Sequence, residues 1–277
     1  MKLKYLGTGA AEGIPALFCD CDICTRSRAA GGRNLRSRSQ TIIDGKLLVD
    51  FPPDTYMHVL YHGLNLMPVR NCLITHGHPD HLYALDFAMR KEGFSYYRNM
   101  EKPPLNIYCS GKTAEVVMRG INAEKIPQDV AMLNTIRAFE PFAVDEYSVT
   151  AFSADHAKEL EPLIYAISDG EKTVLYGHDT GYFPESTWEA LAKLKPRFDF
   201  VSLDCTGPLA DYYNNHMNII TCEKVRDRLI EIGCADEDTR FCLHHFSHNG
   251  FATYDDLLQL TRENGFLVSY DGMEIEI

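Results

Sequence analysis

The chain has 277 residues, 45% of them apolar, enough to bury a substantial core, and a formal charge of −12 that argues against a broad nucleic-acid footprint of Lys and Arg contacts to phosphate. No apolar run reaches the roughly eighteen residues of a membrane span, and the opening Met1-Lys2-Leu3-Lys4 carries charge where a secretory signal needs its apolar stretch, so the expected location is cytoplasmic and no membrane partner is expected. Nine cysteines, an odd number without an export signal, point to metal ligation or burial rather than to a disulfide framework.

In chain order, the first expected strand is Leu3 to Gly7. Cys19-Asp20-Cys21-Asp22-Ile23-Cys24 follows, a C-x-C-x-x-C knot. Three thiolates that close make three-quarters of a tetrahedral zinc shell, with the fourth ligand from elsewhere in the chain and His248 the candidate. Arg26 to Arg38 holds five arginines among small residues and reads as an exposed loop. Asp44-Gly45, Asp169-Gly170 and Asp271-Gly272 each separate β-rich runs and read as tight hairpin turns. A helix is expected over Asp54 to His62, with His58 and His62 on its exposed face.

After a strand at Asn71 to Thr75 comes His76-Gly77-His78-Pro79-Asp80-His81, which packs three of the eleven histidines and a carboxylate into six residues. His76 and His78, two apart in extended chain, share a side, and Pro79 suits the first turn of a helix expected to run to Arg90. Two such sets of imidazole and carboxylate suit two neighbouring divalent ions, which would reverse the negative field locally and admit a small anionic substrate. A polar stretch, Lys91 to Pro104, is too short to separate two cores, so one domain is expected over 1–277. Further strands are expected at Leu105 to Cys109, Ser148 to Ser153, Phe198 to Asp204 and Phe241 to His245, and helices at Lys112 to Arg119, Glu185 to Lys193, Cys222 to Ile232 and Tyr254 to Glu263. Cys72, Cys109, Cys205, Cys222, Cys234 and Cys242 lack ligand spacing and read as core. His244 neighbours a candidate ligand but should face the other side of its strand.

The H-x-H-x-D-H motif resembles the signature of the metallo-β-lactamase superfamily, which implies an α/β fold, the αββα sandwich, and seven metal ligands. By that resemblance His76, His78 and His156 hold one ion, Asp80, His81 and His245 hold another, and Asp179 bridges them. Asp50 resembles the family's early aspartate, which supports the site without binding metal. His178 departs from the small residue more usual before the bridging Asp; it reads as a group that supports a ligand or as an exposed one. The Leu6-Gly7-Thr8-Gly9 opening, the cysteine knot and the pair His245 and His248 together resemble the phosphonate-pathway cyclic phosphodiesterase branch, whose knot cysteines share a structural zinc with the histidine in the place of His248. That branch implies hydrolysis of a small cyclic phosphodiester such as 5-phosphoribosyl 1,2-cyclic phosphate by metal-activated hydroxide, with two active-site ions, zinc or manganese. The sequence leaves the oligomeric state open, with a homodimer one of the options. Asp80, His216 and Asp204 form the expected catalytic set, with His216 as general acid, and Arg36 and Arg38 are expected to bind the substrate's other phosphate. Lys91 to Pro104, with Phe94, Tyr96 and Tyr97, looks like an extra segment, either an aromatic lid or a surface insertion. The alternatives are a tRNA 3′-processing nuclease, for which no basic arm is visible, and a non-hydrolytic protein like that of pyrroloquinoline quinone biosynthesis.

Overall fold

Alternation of side chains sets the layers of the fold. In β3 (Leu47–Val49), Leu47 and Val49 face a core between two sheets, while Leu48 faces a second core under helices. The structure, a computed structural model, describes residues 1–98 and 101–277. Its first sheet orders the strands β14 (Glu274–Glu276), β1 (Lys2–Gly7), β2 (Gln40–Ile43), β3, β4 (Asn71–Leu73), β5 (Leu105–Cys109) and β6 (Ala131–Thr135). The second orders β13 (Leu267–Val268), β12 (Arg240–His244), β11 (Phe200–Asp204), β10 (Thr173–Gly177), β9 (Leu163–Ser168), β8 (Tyr147–Ser153) and β7 (Pro141–Val144).

Helices α2 (Thr55–Tyr61) and α3 (Gly111–Ala123) lie over the outer face of the first sheet. Helices α1 (Asp22–Ala30), α4 (Glu185–Leu194), α5 (Ile219–Glu231) and α6 (Tyr254–Leu260) cover the second, where Ile23, Trp188, Val225 and Leu257 share one apolar cluster. Between the sheets Leu3 and Tyr5 meet Val174, Phe200 and Cys242. The result is the expected αββα sandwich. Strands β3, β4 and β5 run parallel, as do β10, β11 and β12, so the loops at their carboxyl ends gather at one edge of the sandwich. No helix among the described residues is long and apolar enough to cross a membrane.

Several local expectations change. Asp271-Gly272 is not a hairpin: β13 pairs with β12 in one sheet and β14 with β1 in the other, so this turn carries the chain across the sandwich. Asp271 anchors the crossing by accepting hydrogen bonds from Ser37 N, Ser37 Oγ and Thr8 Oγ1 at 2.5–2.6 Å. Residues 79–90 are not one α-helix. Phe51 pairs with Leu82 as an isolated bridge and accepts from Tyr83 N, which diverts the chain after one turn, and the helix resumes as a 3₁₀ segment at Ala84–Arg90. Arg26 to Arg38 is no exposed loop either, since α1 runs to Ala30 and Arg36 is buried. His58 is fully buried rather than on an exposed helix face, held by Gln40 Oε1 and Ser37 Oγ.

Candidate metal centre

Three strand ends turn by the same device. Asp50 after β3, Asp179 after β10 and His245 after β12 all take left-handed backbone, with φ of 65°, 54° and 62°. That conformation costs a non-glycine residue roughly 1–2 kcal/mol, and here it swings a carboxylate or imidazole off the strand end into the edge between the sheets.

Two sets of donors meet there. In the first, His76 Nε2 lies 2.9 Å from His78 Nδ1, and His156 Nε2 lies 3.1 Å from the same atom. Asp179 Oδ2 is 3.1 Å from His76 Nε2 and 3.4 Å from His156 Nε2. In the second, His81 Nε2 is 3.3 Å from Asp80 Oδ2, 3.1 Å from His245 Nε2 and 3.2 Å from the same Asp179 oxygen. Within each set the ligand atoms lie within 4.8 Å of one another, and Asp179 belongs to both. Imidazole nitrogens crowded on one point with carboxylate oxygens around them are the donor set of a borderline divalent cation, and one shared carboxylate oxygen suits two ions. The residues present therefore fit the two ions that the motif implies.

The protonation balance agrees with that fit. Burial pushes His76 down, and pushes His156 down to about 4, leaving both neutral as ligands must be. For Asp179, burial is outweighed by His245, His76 and His81, which hold its carboxyl well below the usual range. His81 moves the other way: burial disfavours its charge, but Asp80 and Asp50 outweigh that, so these carboxylates create a demand for positive charge that a divalent ion between them meets.

The ligands are oriented from behind. His81 Nδ1 donates to Asp50 Oδ2 at 2.7 Å, and Asp50 also accepts from Thr75 N and Thr75 Oγ1. Asp50 thus stands behind the ligands, in the supporting position expected of it. His156 Nδ1 donates to Asn215 O, and His245 Nδ1 meets Thr206 Oγ1 at 2.8 Å. Thr75 and Thr206 escaped the sequence reading because a hydroxyl beside a ligand has no spacing of its own. His178 is a buried residue, not an exposed one: its ring stacks on His244 with centroids 3.9 Å apart, and its Nε2 meets Ser202 Oγ.

On the rim, His216 Nδ1 lies 3.3 Å from Asp204 Oδ2 and 3.2 Å from Asp179 Oδ1. Burial lowers the basicity of this imidazole, but Asp204 outweighs it and raises the pKa to about 9. Arg36 and Arg38 do not join the site. Arg36 is buried, donates to Thr8 Oγ1 and Ser269 O and lies over the Phe246 ring, while Arg38 pairs with Asp54 and donates to Ala11 O. Both guanidinium groups are engaged in holding the amino-terminal loops, which overturns the expectation that they bind a phosphate.

The second cluster stands beside the first. His248 Nδ1 lies 3.4 Å from both Cys19 Sγ and Cys21 Sγ, and Cys24 completes the set. Cys21 accepts from Cys24 N at the start of α1, and this bond together with His248 lowers its thiol pKa. Glu12, which the sequence reading passed over, accepts from Asn249 and sits 3.9 Å from His248 Nε2. Four soft and borderline donors without a gap suit a structural zinc.

A four-layer sandwich with two three-residue donor sets joined by one aspartate defines a protein built to hold a pair of divalent ions. The family model for the beta-lactamase superfamily domain matches residues 47–246, and the chain belongs to that superfamily, in its metallo-β-lactamase form. The fold is shared with the crystal structure of a diphosphatase of the PhnP family (TM-score 0.76, 20% identity, 100% of this chain and 96% of the other). It is shared equally with zinc-bound PqqB from Methylobacterium extorquens (TM-score 0.77, 21% identity, 100% of both chains). Among curated sequences, a ribonuclease Z from Methanococcus maripaludis is 26% identical over 162 residues, 57% of this chain. The chain spans less than half the length of that relative and of the first PqqB relative, 45% in each case.

Proposed function

We propose that the chain is a dinuclear-metal hydrolase of a small phosphodiester, with a ribosyl 1,2-cyclic phosphate as the substrate type. The observation that carries this reading is His216, an imidazole with 25% side-chain exposure on the rim of the two donor sets, held by Asp204. Ions bound by His76, His78, His156, Asp80, His81, His245 and Asp179, zinc or manganese by donor type, supply Lewis acidity toward phosphoryl oxygens and acidify water. Asp204 fixes the His216 ring through Nδ1 and keeps it protonated. Nε2 has no protein partner among the described residues, so it is the nitrogen left to give a proton to the departing sugar oxygen.

A sugar alkoxide is a poor leaving group and needs that proton; p-nitrophenolate does not. His216→Ala is expected to slow a ribose-type diester by roughly 10²-fold or more, to slow a p-nitrophenyl diester far less, and to leave metal content unchanged. Equal losses on both would reassign His216 to phosphate binding, and no loss would remove it from the chemistry. The substrate class is tested by turnover of ribosyl cyclic phosphate, a 2′,3′-cyclic nucleotide, an aryl phosphodiester, a diphosphate ester and precursor tRNA. Activity confined to tRNA would replace the proposal with a nuclease, a reading that the −12 charge disfavours. Inactivity of the metal-loaded protein on every substrate would favour a non-hydrolytic role.

A further inference from the structure

Away from the two donor sets, Ser95 and Tyr97 of the Lys91 to Pro104 segment line an apolar groove of about 560 Å³ beside α2. The groove contains none of the candidate metal ligands, so that segment walls this cavity and not the metal centre; Asn99 and Met100 lie outside the described residues. The cysteine knot does adjoin the metal centre, because His248 stands three residues after His245. Its sulfurs are not equivalent. Cys21, at the N-cap of α1, is the one exposed cysteine among the described residues, and its sulfur accepts from Cys24 N at 3.5 Å. Cys24, in the first turn of that helix, is fully buried and accepts from Ala16 N at 3.3 Å. The two sulfurs lie within 4.8 Å of each other, a side-chain rotation away from the ~2 Å of a disulfide, and C-x-x-C at a helix start is a spacing at which dithiols close reversibly.

We propose that the knot is an oxidation site: a small neutral hydroperoxide oxidises Cys21, Cys24 closes a disulfide with it, and the knot can then no longer hold zinc. The Cys21 sulfur attacks one peroxide oxygen, the O–O bond breaks and hydroxide leaves, which gives a sulfenic acid. The Cys24 thiolate then attacks the Cys21 sulfur and displaces a second hydroxide, so the two sulfurs give up two electrons and the peroxide accepts them. Cys19 and His248 remain as two donors of four, too few for a structural zinc site. Access selects the cysteine, since the six outside the knot are buried and Cys19 is half-buried. Charge selects the oxidant. Asp20 and Asp22 flank Cys21 in the chain, Glu12 lies 3.9 Å from His248 Nε2, and Arg26 is engaged by Asp22 and Asp256, so an anionic oxidant such as glutathione disulfide is repelled where a neutral peroxide is not. An opened knot unties α1 from the segment that follows His245, and oxidation thereby lowers the stability of the fold.

The test treats the zinc-loaded chain with a few molar equivalents of hydrogen peroxide. One zinc ion should be released per disulfide formed, read with a chromogenic chelator, and peptide mapping should place the disulfide between Cys21 and Cys24. The melting temperature should fall by about 2–10 °C and return after treatment with dithiothreitol and zinc. Cys24→Ser removes the second thiol, so dimedone should trap a sulfenic acid at Cys21 in that variant. Should Cys24→Ser fail to fold, graded peroxide followed by alkylation of the wild-type chain reads the same order, with Cys21 lost roughly 10-fold or more faster than any buried cysteine. A disulfide that joins Cys19 instead of Cys24, zinc retained by the oxidised knot, a first reaction outside the knot, an unchanged melting temperature or faster reaction with glutathione disulfide than with peroxide would each overturn the proposal.

Discussion

His58 links two distant parts of the molecule. Its Nδ1 donates to Gln40 Oε1 at 2.6 Å, its Nε2 meets Ser37 Oγ at 2.8 Å, Ser37 reaches Asp271, and Gln40 Nε2 donates to Asp50 O. One hydrogen-bonded chain therefore runs from the crossing turn to the residue that holds His81. Burial, with a smaller contribution from His62, lowers the His58 pKa to about 3. It stays neutral in the fold, while in the unfolded chain it gains a proton below about pH 6.5. The unfolded state thus binds the extra proton between about pH 6.5 and 3, and stability falls with pH across that window by up to about 1.4 kcal/mol per unit. His58→Gln removes this contribution, so denaturant titrations should show the variant losing less stability than wild type between pH 7 and pH 4.5; equal losses would count against it. Asp179 makes a sharper case, because one of its oxygens faces both donor sets. Asp179→Ala is expected to release at least one active-site ion on gel filtration. A variant that retains both ions and full turnover would remove the bridging role.

At the scale of elements, the knot ties the start of α1 to the loop that presents His245. Cys21 caps α1, and His248 opens a 3₁₀ segment (His248–Gly250) three residues after that ligand. With four protein donors and no open position, a zinc held there would be structural, so Cys21→Ser should release it and lower stability by about 1–3 kcal/mol before it alters turnover. Loss of turnover at wild-type melting temperature and zinc content would be the contrary result. Elements with strong local signals were legible in the sequence. The helix over Asp54 to His62 forms as α2 (Thr55–Tyr61), and the strand over Leu105 to Cys109 coincides with β5. The helix over 79–90 was misread because the pairing of Phe51 with Leu82 joins residues 31 apart, and hydrophobic periodicity carries no trace of it.

Across the whole molecule, the donor sets draw on both sheets: Asp80 and His81 follow the first sheet's β4, and His156, Asp179 and His245 follow the second sheet's β8, β10 and β12. Ions held by these residues would therefore cross-link the two halves of the sandwich. At free metal near 100 times the dissociation constant, the linkage contributes about 2.7 kcal/mol, and a chelator should lower the melting temperature by roughly 5–10 °C, less so in Asp179→Ala. Equal shifts in the two proteins would separate the ions from that cross-link. The sequence by itself carried the H-x-H-x-D-H motif and the cysteine knot, because each lies within a few residues, and the sandwich class followed from the resemblance of that motif to the metallo-β-lactamase superfamily. Tertiary structure alone decided that Arg36 is buried on Phe246, that His58 joins Gln40 to Ser37, that Asp271 crosses between sheets and that α2 borders an open groove. Each of these depends on burial and on partners that lie from 18 to 263 residues away along the chain, and burial is a property of the packed chain, which no local pattern encodes.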